Sequence, residues 1–141
     1  MRNAKLYVVD TAFATAVNEL SGGDEGWKLE NMVFLELLRR RQVNNYELFY
    51  YKNNYEIDFV VTVGKKVVEL IQVCSDISNE RTLQRELKAL ANGSVELNCP
   101  QMTLISNSES REIQYKEKVI QLVSAKEWLL DRNGIENVNV L

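Results

Sequence analysis

One stretch limits what this chain can fold into more than any other: Tyr55 to Cys74, YEIDFVVTVGKKVVELIQVC. Its β-branched and aromatic residues alternate with polar ones on either side of Gly64-Lys65-Lys66, which predicts two strands joined by a tight turn. The apolar alternation runs through Ile57, Phe59, Val61 and Val63, then Val67, Ile71 and Val73. Side chains two apart in a strand share a face, so Glu56 and Asp58 are expected to project together, and so are Gln72 and Cys74. An acid late in one strand and a Gln-x-Cys at the end of the next is an unusual pattern for a purely structural hairpin.

The flanking segments extend this hairpin. Glu47 to Lys52 (ELFYYK) reads as a strand by aromatic content, and Asn53-Asn54 turn it into the hairpin, so three consecutive strands form an antiparallel meander. Before it, Trp27 to Arg41 (WKLENMVFLELLRRR) predicts a helix with Asp24 as its cap. Leu29, Met32, Val33 and Leu37, with Phe34 beside them, recur at helical spacing and are expected inward. Glu30 borders this apolar face. Arg39, Arg40 and Arg41 suit the helix C-terminus electrostatically and read as a solvated end. After the hairpin, Ser78 to Ala91 predicts a second helix with Leu83, Leu87 and Leu90 inward, ended by Asn92-Gly93. Met102 to Ser106 is expected as a strand lying parallel, because a helix precedes it. Lys5 to Val9 and Lys118 to Val123 read as further strands. Thr11 to Leu20 and Ala125 to Leu130 read as helices, and the tail from Asp131 reads as polar and loose. The alternation of types indicates one α/β domain over residues 1–141, a mixed central sheet flanked by helices.

Composition removes several classes of chemistry. With 141 residues the chain is of ordinary single-domain size. Histidine is absent, so Ser-His-Asp and Cys-His nucleophiles and His-ligated zinc are excluded. Gly22 and Gly64 both lack the Gly-x4-Gly-Lys-Ser/Thr spacing, so no phosphate loop of that type is present. The net charge of −3 argues against a generally basic nucleic-acid surface. No apolar run approaches the roughly 18 residues of a membrane span, and Asp10 interrupts the apolar N-terminal stretch that a secretory signal would need. Cys74 and Cys99 do not make a disulfide framework and read as reduced thiols of a cytoplasmic protein. Carboxylates, lysines, arginines and thiols remain, a donor set suited to Mg²⁺ or Mn²⁺ if any metal is held.

A helix acid (Glu30), a strand acid (Asp58) and Gln72-x-Cys74 on the next strand resemble the restriction-endonuclease-like PD-(D/E)xK pattern. The resemblance implies that Glu30, Asp58 and Gln72 converge as ligands of a divalent cation, with a lysine two residues after Gln72. Here Cys74 stands at that position, and a neutral thiol supplies no fixed positive charge. Lys52 or Lys65 is a candidate substitute. The wording of the chain is closer still to one family. The blocks KLYVVDTAFA, WKLENMVFLELLRR, ELFYYKNNYEIDFVV, ELIQVC, ERTLQREL, MTLIS and KEWLL, in order from about Lys5 to Leu130, resemble the C-terminal DUF4143 domain of bacterial and archaeal AAA-type ATPases. That resemblance implies a nuclease-like fold, a partner ATPase module in a longer native chain, and an excised domain here.

Other roles fit the same residues. Asp58 can pair with Arg81 or Arg85, and these arginines can also pair with Glu56 or face a phosphate. Gln72 can satisfy a buried hydrogen bond, and Cys74 can be a small buried hydrophobe. Three functions follow: a degenerate accessory module that binds nucleic acid or a protein without cutting, an active metal-dependent nuclease, or an interaction and oligomerisation domain.

Overall fold

The computed structural model describes residues 6–8 and 25–131. The expected helix over 11–20, the cap at Asp24 and the tail after Asp131 lie outside the described residues. In chain order the elements are β1 (Leu6–Val8), α1 (Glu25–Asn44), β2 (Glu47–Lys52), β3 (Glu56–Val63), β4 (Lys66–Val73), α2 (Glu80–Glu96), β5 (Met102–Ser106), β6 (Arg111–Tyr115), β7 (Lys118–Ser124) and α3 (Ala125–Leu130). The strands form one mixed sheet in the order β1-β2-β3-β4-β5-β7-β6. β1 through β4 are antiparallel neighbours, β4, β5 and β7 run parallel, and β6 returns antiparallel to β7. The meander and the parallel placement of β5 match the expectation from sequence. Strand β6 was not foreseen: only Ile113 of its five residues is buried, so its apolar pattern is too thin to read.

Two apolar clusters lie on the two faces of the sheet. One joins Leu29, Val33, Phe34 and Leu37 of α1 and Trp128 of α3 to Phe59, Val61, Ile71 and Ile105. The other joins Leu83, Leu87 and Leu90 of α2 to Ile57, Val60, Leu70, Leu104 and Leu122. Helices therefore cover both faces, as β-strands buried on both sides require. Among the described residues no helix is long and apolar enough to cross a membrane.

Three local features depart from the expected pattern. Met32 is 49% exposed, on the outward side of α1, while Phe34 is buried; the inward stripe is Leu29, Val33, Phe34 and Leu37. In β3, Tyr51 pairs with Ile57 but Phe49 pairs with Val60, so Asp58 and Phe59 together oppose Tyr50. This β-bulge reverses the alternation, and Ile57 packs toward α2 while Phe59 and Val61 pack toward α1. A second irregularity, between the Val61–Glu69 and Thr62–Val67 pairs, likewise puts Val67 on the α2 side and Ile71 on the α1 side.

Helix α2 begins at Asn79, whose side chain accepts from the amides of Arg81 (2.9 Å) and Thr82 (3.3 Å). It does not stop at Asn92-Gly93. A Cβ on Gly93 would lie 2.2 Å from Ile57 Cδ1, so this glycine serves the close approach of helix to sheet. The helix ends instead beside Asn98, which adopts a left-handed φ of 52°.

Candidate site at the bulge of strand three

The expected site residues meet where β3 and β4 part. The last paired residues on this side are Phe59 and Ile71. Beyond them side chains take over the ladder. The amide nitrogen of Asp58 donates to Gln72 Oε1 (2.7 Å), and Gln72 Nε2 donates to the carbonyl of Glu56 (2.9 Å). The amide of Val73 donates to Asp58 Oδ2 (2.8 Å). Where the β3–β4 ladder ends, next to the bulge in the β2–β3 pairing, Asp58 and Gln72 bridge the two strands reciprocally. Gln72 is buried, and its two ends are both spent on backbone groups that otherwise have no strand partner.

The surroundings of Asp58 are acidic. Burial raises its pKa well above the usual carboxylate value, and Glu30 on α1 pushes it further, with Glu86 of α2 and Glu56 adding to this. Glu30 is raised by burial and by Glu56, and Glu86 by burial and by Glu30. Helices from both faces thus direct carboxylates toward one end of β3. Glu30 and Asp58 are close enough to repel, so the helix acid and the strand acid do face the same region.

The expected cations do not come with them. Among the described residues no ion pair reaches Asp58. Arg85 lies 3.8 Å from Glu86 and is largely exposed; Lys52 lies 3.7 Å from Glu56, both exposed. Arg81 is exposed near the start of α2. Lys65 sits in the β3–β4 turn, roughly 15–20 Å along the strand from Asp58 at about 3.3 Å per residue. Cys74 is half-buried, and its thiol donates to the carbonyl of Asp76 (3.4 Å). Burial, then Glu86, raises its pKa, so it is the neutral thiol at neutral pH.

These residues do not fit a divalent cation as arranged. Gln72 has no free oxygen, Asp58 commits one oxygen to Val73, and no three acids or thiols among the described residues lie close enough to hold a metal. The chemistry the site supports is electrostatic: a cluster of carboxylates, Glu30, Glu56 and Glu86 around Asp58, with Lys52 and Arg85 pairing only its outer members.

Two buried charges escaped the sequence reading. Arg40, expected at a solvated helix end, is 3% exposed beneath Trp128. Glu69 is buried in β4, accepting from Thr103 Oγ1 at 2.7 Å. Each carried a signal. Arg40 follows Val33 by seven and Leu37 by three, on the inward stripe. Glu69 has two apolar residues on each side, so a strand buried on both faces must enclose it.

No solved structure matches the chain. It is 38% identical over 134 residues to the uncharacterized protein MJ1544 of Methanocaldococcus jannaschii, an alignment that covers 90% of this chain and 29% of that protein. The chain therefore spans less than a third of this relative's length. A family model described as a domain of unknown function, DUF4143, matches residues 25–128, and the chain belongs to that family.

Proposed function

We propose that this is an accessory domain of a longer AAA-type ATPase, built on a restriction-endonuclease-like frame that no longer cleaves phosphodiesters and binds a protein partner. One observation carries the reading: Gln72 and Asp58 are spent on strand backbone, where an active site would need their oxygens on a metal. The order α1, the meander β2–β4, α2 and then a parallel β5 supports the nuclease-like frame. Carboxyl groups clustered at the bulge without a cation on Asp58, a net charge of −3 and a neutral Cys74 all disfavour a phosphate-bearing partner there. The length of the relative supports the placement in a longer chain.

The expected result is no cleavage of single-stranded DNA, double-stranded DNA or RNA with either Mg²⁺ or Mn²⁺. A fixed cation at the transferring phosphate is worth on the order of 3 kcal/mol, about a hundredfold in rate. Cys74 supplies none of it. Cys74→Lys is expected to restore no activity, because the charge would arrive beside ligands that remain engaged. Metal-dependent cleavage by the unmodified chain, abolished in Asp58→Ala, overturns the reading.

A further inference from the structure

We propose that the groove between the C-terminal half of α1 and α3 docks a protein segment that presents a carboxylate side chain next to an apolar one; this deepens, and rests on, the reading of the domain as a protein-binding module. The groove encloses about 410 Å³, room for a few side chains. It is remote from the bulge in the chain, since Glu30 belongs to the first half of α1 and this groove to the second.

Its polar side is basic and incompletely satisfied. Arg40 Nη2 donates to the carbonyls of Trp128 (2.6 Å) and Asp131 (2.8 Å), and its guanidinium carbon lies 4.2 Å from the centre of the Trp128 ring. Nε reaches Glu36 Oε1 only at 3.4 Å. Nη1 is buried and has no hydrogen-bond partner among the described residues. A buried donor left unmatched is costly, and for a charged group more so. Arg39, 59% exposed, is tied to Glu36 at 2.9 Å through Nε. Among the described residues of the lining, two guanidinium groups stand against the one carboxylate of Glu36 and leave it positive, in a chain whose net charge is −3. An acid complements it.

The other walls are apolar and open. Val43 is 73% exposed and Leu130 70%, with Leu129 beside them. A carboxylate alone would leave these uncovered, and an apolar side chain alone would leave Arg40 Nη1 unmatched. A carboxylate admitted to Arg40 Nη1 leaves in place the Nη2 bonds that hold the end of α3. Nucleic acid would offer the charge without the aliphatic contact, which is why a protein segment is the occupant.

The test uses the whole chain and a labelled, end-blocked peptide of alternating glutamate and leucine, read by fluorescence polarisation. A second peptide carries glutamine in place of each glutamate. Saturable binding of the acidic peptide is expected, weakened at least tenfold by Arg39→Ala, by Val43→Asp and by the glutamine peptide. Arg39 and Val43 are exposed, so both variants should keep the unmodified chain's thermal midpoint, and that is checked first. Equal binding of the two peptides, indifference to Val43→Asp, or no saturable binding up to about 1 mM overturns the proposal. So does displacement of the peptide by a single-stranded oligonucleotide of equal length at lower concentration. Self-association abolished by Val43→Asp, seen by sedimentation, would give the groove to a second copy and also overturn it. Absence of peptide binding together with absence of cleavage sinks the groove and leaves the non-cleaving reading standing. Cleavage with peptide binding intact does the reverse.

Discussion

Replacing Glu69 with glutamine is expected to make the protein more stable at pH 8, by about 3 kcal/mol, and to change little at pH 5. Glu69 is buried within β4, and desolvation pushes its pKa from 4.5 up to about 7 despite opposing contributions from the Thr103 hydroxyl and Arg40. The sign follows from proton binding. The folded state holds this proton more tightly than the unfolded one, so folding is favoured while Glu69 is protonated. That advantage is lost as the pH rises from about 4.5 through about 7. Glutamine is neutral throughout and keeps an oxygen for Thr103 Oγ1, which now bonds Glu69 at 2.7 Å. Asp58, Glu30 and Glu86 are also raised by burial, so the unmodified chain should lose stability with rising pH for several reasons at once. The informative quantity is therefore the difference between variant and parent in urea unfolding across pH 5 to 8. Parallel profiles would show that Glu69 does not titrate in this window.

Leu37→Ala should cost about 2–5 kcal/mol. Leu37 has no exposed surface and lies in the cluster that joins α1 to Phe59, Val61 and Ile71. The carbonyl of Leu37 also accepts from the hydroxyl of the buried Tyr46, so the backbone there is fixed and the cavity left by the missing atoms has little means to collapse. Met32→Ala is the control, expected within about 0.5 kcal/mol because Met32 faces outward. A loss under about 0.5 kcal/mol in Leu37→Ala would mean that α1 is not held to the sheet by this stripe.

The parts of the fold that were legible are those where local pattern and long-range packing agree. The meander, α1, α2 and the parallel β5 follow from periodicity and from the rule that a strand after a helix crosses over. What was not legible came from events a period cannot carry. A bulge at Asp58–Phe59 inverts the faces of β3, so residues two apart, Ile57 and Phe59, end on opposite sides of the sheet. Gly93 is a packing residue and not a stop, because Ile57 lies against it from another strand. At the site, the resemblance implied that Glu30, Asp58 and Gln72 converge, but it could not show that Gln72 is consumed by the carbonyl of Glu56 and the amide of Asp58. The partners there are backbone groups, which leave no mark in composition. The alternative pairing of Asp58 with Arg81 or Arg85 is not found among the described residues, where Arg85 lies against Glu86, its neighbour on the same helix.

The strand order also sets an order of assembly. Lys52 pairs with Glu56, Val63 with Lys66 and Tyr115 with Lys118, so β2–β4 and β6–β7 close over tight turns with little loss of chain entropy. Strand β5 belongs to neither piece. Both its neighbours are parallel and distant in sequence, Leu70 opposite Met102 and Thr103 opposite Gln121. Pulse-labelled hydrogen exchange should therefore show amides of Met102–Ser106 protected after those of β2–β4, and simultaneous protection would refute this order. All five residues of β5 are buried in the finished sheet. Until it arrives, the meander and the hairpin each present an unpaired apolar edge, and another copy of the chain can fill that edge as well as β5 can. The protein's exposure to aggregation is thus concentrated in one interval of its folding, the wait for its central strand.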